Sequence, residues 1–154
     1  MSKFVERFNN LILEENLSLR KLSKLIQISS SQLSKYVSGN FEPSLNNSIK
    51  ISNYFKCSID YLFGLDDDRY NYDIVRDADI DKFIERLLLL INDREININR
   101  ISKNTYINRS CIYNWKNSKI FPKVGLLASL ATELDSSIEY LIGRCDVKWL
   151  FLIT

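Results

Sequence analysis

The sequence contains no histidine, only two prolines and four glycines, and three cysteines that lie far apart. Without histidine, mechanisms that need an imidazole base and metal sites of the Cys/His type are excluded. The spacing of Cys57, Cys111 and Cys145 is typical of free thiols in a reducing compartment, not of a zinc site or a disulfide framework. The glycines form no phosphate-binding loop. We therefore expect no enzymatic activity, no catalytic residues, no metal or other cofactor and no small-molecule ligand.

Long apolar runs are also missing. No run reaches the roughly 18–20 residues that a membrane span needs, and the first ten residues, MSKFVERFNN, lack the apolar stretch of a secretory signal. These absences predict a cytoplasmic protein that does not associate with membranes.

The net charge of +2 is unevenly distributed along the 154 residues. Residues 66–81 hold seven acids and two bases, so the remainder carries +7. Two windows contain bases and no acid: residues 18–41 with Arg20, Lys21, Lys24 and Lys35, and residues 97–124 with Arg100, Lys103, Arg109, Lys116, Lys119 and Lys123. Clustered basic residues are typical of a partner with a phosphate backbone, and they predict nucleic-acid binding.

The sequence also repeats itself. Residues 4–67 align without a gap on residues 83–146 at an offset of 79, with sixteen identities in 64 positions. A long period with only two copies predicts two similar domains and not a solenoid. The predicted organisation is a first domain at 1–67, an acidic linker at 68–80, a second domain at 81–148 and an apolar tail at 149–154.

Apolar spacing predicts five short helices in each copy and no strand, hence an all-α protein. Ser18 and Ser29 are expected to cap the second and third helices of the first copy, and Asn108 the third helix of the second copy. Leu22, Leu25 and Ile26 are expected to face the core. Ser136 with Glu139 is expected to start the last helix of the second copy, and Gly64 and Gly143 are expected to end the last helix of each copy.

Residues 17–36, LSLRKLSKLIQISSSQLSKY, resemble the helix-turn-helix of the Cro and lambda-repressor-like (XRE) family. Residues 43–45 and 58–64 extend the likeness, and the second copy keeps it at 96–115, Pro122 and 137–143. The resemblance implies two tandem five-helix domains that bind double-stranded DNA and place the third helix of each in the major groove. The family often has glycine where this chain has Gln27 and Tyr106. A left-handed residue there costs about 1 kcal/mol without glycine, so we expect that turn to be reshaped.

The resemblance assigns candidate DNA contacts to the third helices and their flanks. The base-contact candidates are Ser30, Ser31, Ser34, Lys35, Arg109, Ser110, Tyr113 and Asn114. The backbone-contact candidates are Ser18, Arg20, Ser38, Asn40, Asn99, Asn117 and Lys119. Arg109 suits guanine and Asn114 suits adenine, whereas Lys35 can reach either guanine or a phosphate.

The sequence therefore predicts a DNA-binding transcriptional regulator, in particular a repressor of the phage or mobile-element type. The alternative is a protein-interaction adaptor or antirepressor in which one or both copies no longer bind DNA. The apolar tail at 149–154 is expected to pack either on a domain or on another subunit, which leaves a homodimer through the tail open.

Overall fold

The computed structural model describes residues 2–97, 101 and 107–147. Within those ranges every regular element is a helix: α1 (Lys3–Glu14), α2 (Leu19–Ile26), α3 (Ser30–Ser38), α4 (Leu45–Phe55), α5 (Ile59–Leu62), α6 (Ile80–Asp93), α7 (Arg109–Ser118), α8 (Val124–Glu133) and α9 (Ile138–Leu141). The prediction of an all-helical protein is confirmed for this part of the chain. None of these helices is both long and apolar enough to cross a membrane.

The chain divides into two compact units, Met1–Tyr72 and Asp73–Thr154. The sequence-predicted linker is shared between them, because Arg69 pairs with Glu14 in the first unit and the Val75 amide donates to the Arg144 carbonyl in the second. The apolar tail at 149–154 lies outside the described residues, as does nearly all of the segment 98–106 in which the second helix of the second copy was expected.

Serine begins every helix of the first unit. The side chains of Ser2, Ser18, Ser29, Ser44 and Ser58 each accept a hydrogen bond from a backbone amide in the first turn, at 2.9–3.2 Å. Each cap satisfies an amide that has no partner inside the helix and contributes about 1 kcal/mol. The predicted caps Ser18 and Ser29 are confirmed, and so is Asn108, which accepts from the Cys111 amide at 3.0 Å.

The core of the first unit follows the apolar face of α1. Phe4, Phe8 and Leu11 are at most 3% exposed, and the rings of Phe4 and Phe8 stack at 5.3 Å. Leu22 of α2 and Leu33 of α3 are fully buried in the same cluster. The inner faces of the two helices are thereby fixed, which leaves their outer faces to solvent.

Two helical details of the sequence interpretation are wrong. Leu25 is 49% exposed, because the buried stripe of α2 runs through Leu22 and Ile26, four residues apart, and leaves Leu25 at its margin. The cap of α9 is Ser137 and not Ser136, since the Ser137 hydroxyl accepts from the Tyr140 amide at 3.0 Å, whereas the Ser136 hydroxyl donates to the Ser137 carbonyl.

The turn between α2 and α3 is not reshaped by its lack of glycine, so that expectation is also wrong for the first unit. Gln27 takes the left-handed conformation itself, at φ 58° and ψ 46°, and the Lys50 ammonium donates to its carbonyl at 3.2 Å. Gly64 and Gly143, at φ +84° and +88°, follow the last helices as predicted. Tyr106 lies outside the described residues.

An arginine of the first helix ties each unit to its last helix. In the first unit Arg7 donates to the carbonyls of Tyr61 and Asp66 and lies 4.3 Å over the Tyr61 ring. In the second unit Arg86 donates to the carbonyls of Tyr140 and Cys145, at 2.7 and 2.6 Å, and lies 4.2 Å over the Tyr140 ring. The two arginine side chains are almost buried, at 11% and 12% exposure. Each therefore provides hydrogen-bond donors to two backbone carbonyls in a place where little water is available.

Candidate nucleic-acid interface

Helices α2 and α3 of the first unit present a polar outer face. Ile28, 3% exposed, fills the turn between them, and Leu33 and Tyr36 anchor α3 from inside. Because the inner positions are three residues apart, the positions between them turn outward. All four base-contact candidates of the first copy are exposed on α3: Ser30, Ser31, Ser34 and Lys35.

The chemistry of this outer face suits the edges of bases. A serine hydroxyl both donates and accepts, so three hydroxyls in the first turns of α3 can pair with either kind of group in the major groove. Ser29 caps α3, and its oxygen lies 3.4 Å from that of Ser31. The hydroxyls of Ser30 and Ser34 are exposed on the same helix.

The start of α2 forms a second polar patch. The Ser18 hydroxyl oxygen accepts from the Lys21 amide at 3.1 Å, which leaves its proton available to an outside acceptor. Arg20, Lys21 and Lys24 are exposed around it, in a window without acids. A helix N-terminus with free amides and three cations has the properties that a phosphate contact needs.

The end of α3 closes with a tight C-terminal turn. The Asn40 amide donates to the Lys35 carbonyl at 3.0 Å and the Gly39 amide to the Tyr36 carbonyl at 3.2 Å, with Gly39 at φ +80°. These two bonds form a Schellman motif, which requires a left-handed residue at the position of Gly39. Both backbone-contact candidates here, Ser38 and Asn40, are exposed. The Ser38 hydroxyl donates to the Lys35 carbonyl at 3.1 Å.

Helix α7 carries the corresponding candidates of the second unit. Ile112 is its buried residue, at 8% exposure, and Trp115 is half-buried against Phe83. The exposed residues of α7 include all four base-contact candidates and one backbone-contact candidate: Arg109, Ser110, Tyr113, Asn114 and Asn117. The candidate Asn99 lies outside the described residues.

Lys119 ends α7 in a left-handed conformation, at φ 58°, and forms an ion pair with Asp81. Both side chains are more than half exposed, so the pair is weak and can exchange for a phosphate. Without DNA, Lys119 is therefore paired with an acid of its own unit. Asp81 lies outside the window 97–124, so the charge pattern of that window did not predict this pair.

Phe41 is a feature of the surface that the candidate set omits. Its ring is 60% exposed just after α3, and the Lys35 ammonium lies 5.1 Å from the ring centroid. An aromatic residue between Asn40 and Glu42, in an otherwise polar loop, was the available sequence signal. Among the described residues, no group of three or more His, Cys, Asp or Glu side chains could hold a metal ion.

Comparison with known proteins supports a helix-turn-helix in the first unit. Residues 10–62, about a third of the chain, match a helix-turn-helix family model of the XRE type. That range contains α2, α3 and the turn between them. No curated protein and no solved structure matches the chain. This match supports an XRE-like helix-turn-helix at residues 10–62, and such a domain suggests a DNA-binding transcription regulator.

Proposed function

We propose that this chain is a sequence-specific regulator of transcription that binds double-stranded DNA through two helix-turn-helix domains, with α3 and α7 in the major groove. The observation that carries the proposal is the exposed polar face of α3 beside an acid-free basic patch, in a segment that matches the helix-turn-helix family. Donors and acceptors on the recognition helix can contact base edges, and surrounding cations can hold phosphates.

The presence of a second domain of the same kind rests on matched geometry at the sequence offset of 79. Arg7 and Arg86 make the same set of contacts, each with two carbonyls and one tyrosine ring. Left-handed residues recur as the pairs Asn16/Glu95, Lys56/Asp135 and Gly64/Gly143, with φ values that agree within about 5°. Backbone turns and buried donors repeated at one offset support a duplicated fold.

The two copies are expected to prefer different bases. Helix α3 offers hydroxyls and one lysine, whereas α7 offers a guanidinium, an amide and a phenol. Since both are carried by one chain, the second domain is held near DNA at about millimolar effective concentration once the first has bound. We therefore expect an asymmetric binding site with two unlike half-sites. The resemblance of residues 17–36 to Cro and the lambda repressor favours, within this proposal, a repressor of the phage or mobile-element type.

The test is selection of bound duplexes from a random DNA pool, followed by affinity measurements on the selected site. Arg109→Ala and Asn114→Ala should each cost about 1–3 kcal/mol and relax the preference at one base pair. Lys119→Ala, at a backbone-contact candidate that follows the same helix, is the comparison and should weaken binding to all sequences alike. With about four phosphates neutralised by each copy, log affinity should fall against log salt with a slope near −7.

The second candidate function is a protein-interaction adaptor, and one observation favours it for the second unit. Leu88 and Leu89 of α6 are each 46% exposed, at the positions where the first unit has Asn9 and Asn10. A palindromic selected site, together with α7 variants that bind as tightly as the wild type, would support this alternative. Binding that does not change with salt would contradict DNA recognition altogether.

A further inference from the structure

Lys35 and Phe41 form a contact pair where the chain leaves α3. The Phe41 amide donates to the Lys35 carbonyl at 3.4 Å, and the Lys35 ammonium lies 5.1 Å from the Phe41 ring centroid. The Schellman turn at Gly39 fixes the backbone that joins the two residues. Main-chain bonds thus fix the backbone of Phe41, and its ring lies beside the ammonium group.

This contact bears on the two ligands that the sequence leaves open for Lys35. Base edges are contacted from the N-terminal residues of a recognition helix, where Ser30 and Ser31 lie, whereas Lys35 lies in the last turn of α3. The ring of Phe41 belongs to the loop that follows α3, and the Lys35 ammonium lies 5.1 Å from the centroid of this ring. A lysine ammonium is a compact charge that suits a phosphate oxygen, and its remaining donors face solvent when one side rests on a ring.

We propose that Phe41 is a positioning residue that directs Lys35 to a DNA phosphate and away from base edges. The inference rests on the proposed function of the first unit and names the role of one pair within it. Because the ring already restricts the lysine in the free protein, less side-chain freedom is lost when the phosphate binds.

The second unit has no such pair at the matching positions. Asn114 stands where the first unit has Lys35, and Ile120, 65% exposed, stands where it has Phe41. The neighbouring cation, Lys119, is paired with Asp81. Phosphate anchoring by an aromatic-held lysine is therefore a property of the first unit, and Ile120→Ala provides a matched control.

The experiment measures binding of the full chain to a short, fluorescein-labelled duplex pool of random sequence, by anisotropy at several salt concentrations. Phe41→Leu keeps an apolar side chain but removes the ring, and should weaken binding about two- to fivefold, the range of an exposed cation–π contact. Phe41→Tyr keeps the ring and should bind like the wild type. Lys35→Met should lower the salt slope by about 0.9, the value for one phosphate. Ile120→Ala should leave the affinity unchanged.

Two further measurements separate positioning from direct contact. In the Lys35→Met background, Phe41→Leu should have no additional effect, because the ring then has no cation to hold. DNA selected by Lys35→Met should show the same base preference as DNA selected by the wild type. An additional loss in the double variant, or a changed base preference, would overturn the inference.

The inference and the proposed function fail in different ways. If the wild type binds the duplex pool with the expected salt dependence and Phe41→Leu binds equally well, only the role of Phe41 is refuted. If the wild type itself binds no DNA at low salt, the proposed function fails and the inference fails with it.

Discussion

Replacement of Arg86 by methionine tests how the last helix of the second unit is held in place. The guanidinium donates to the carbonyls of Tyr140 and Cys145, and its side chain is only 12% exposed. Methionine keeps an aliphatic stem over the Tyr140 ring but supplies no donor. The third partner of Arg86 is Asp146, which is well exposed, so this ion pair contributes little to the stability of the unit.

The magnitude follows from the two carbonyls. A hydrogen bond from a charged group contributes about 1.5–3 kcal/mol, and water can replace part of it at a partly buried site. We therefore expect Arg86→Met to lower the free energy of unfolding by about 2–4 kcal/mol. For a unit of this size, each kcal/mol corresponds to about 4–8 °C, so the midpoint should fall by roughly 8–32 °C.

The assay uses the placement of the tryptophans. Trp115 is half-buried against Phe83 in the second unit, so in a Trp149→Phe background its emission reports on that unit. Arg86→Met should shift the tryptophan-detected transition, whereas Arg7→Met should shift a transition seen by far-ultraviolet circular dichroism. Lys116→Met, at an exposed position of α7, is the control and should change neither. A tryptophan transition in Arg86→Met that coincides with that of the wild type would refute the reasoning.

Three more predictions concern charge and backbone. Asp81→Asn releases Lys119 from its ion pair and removes a negative charge, so DNA affinity at low salt should rise if the second unit binds DNA; unchanged affinity would show that this pair does not compete with DNA phosphates. Hydrogen bonds from Arg76 and then Arg86 hold the pKa of Asp146 well below its usual range. Its contribution to stability is present above the unfolded pKa of about 3.9 and is lost as pH falls through the lower folded pKa, so the stability advantage over Asp146→Asn should vanish in acid. Gln27→Gly removes the strain of a left-handed residue at φ 58° but adds the conformational entropy of glycine to the unfolded chain. The net result should be an increase of about 0.5–1 kcal/mol in the free energy of unfolding, and a lower melting temperature would contradict this.

The sequence by itself determined the features that depend on near neighbours. Helical spacing of apolar residues predicted the all-helical structure, and Ser18, Ser29 and Asn108 were recognised as caps because a cap acts within one turn of its own helix. The exposed face of α3 followed from the buried positions Leu33 and Tyr36 by helical geometry alone. The internal repeat at an offset of 79 residues was likewise visible in the sequence alone.

Tertiary structure decided everything that depends on contacts between distant residues. Gln27 can adopt a left-handed turn where a glycine was expected, and an ammonium from α4 reaches its carbonyl across 23 residues. Lys119 pairs with Asp81, 38 residues away, so a cation in an acid-free window is not a free cation. Arg86 reaches carbonyls 54 and 59 residues later in the chain. Local pattern fixes which face of a helix is polar, but only the packed fold brings a particular charge to a particular acid, carbonyl or ring, because those partners become neighbours only when the helices have packed.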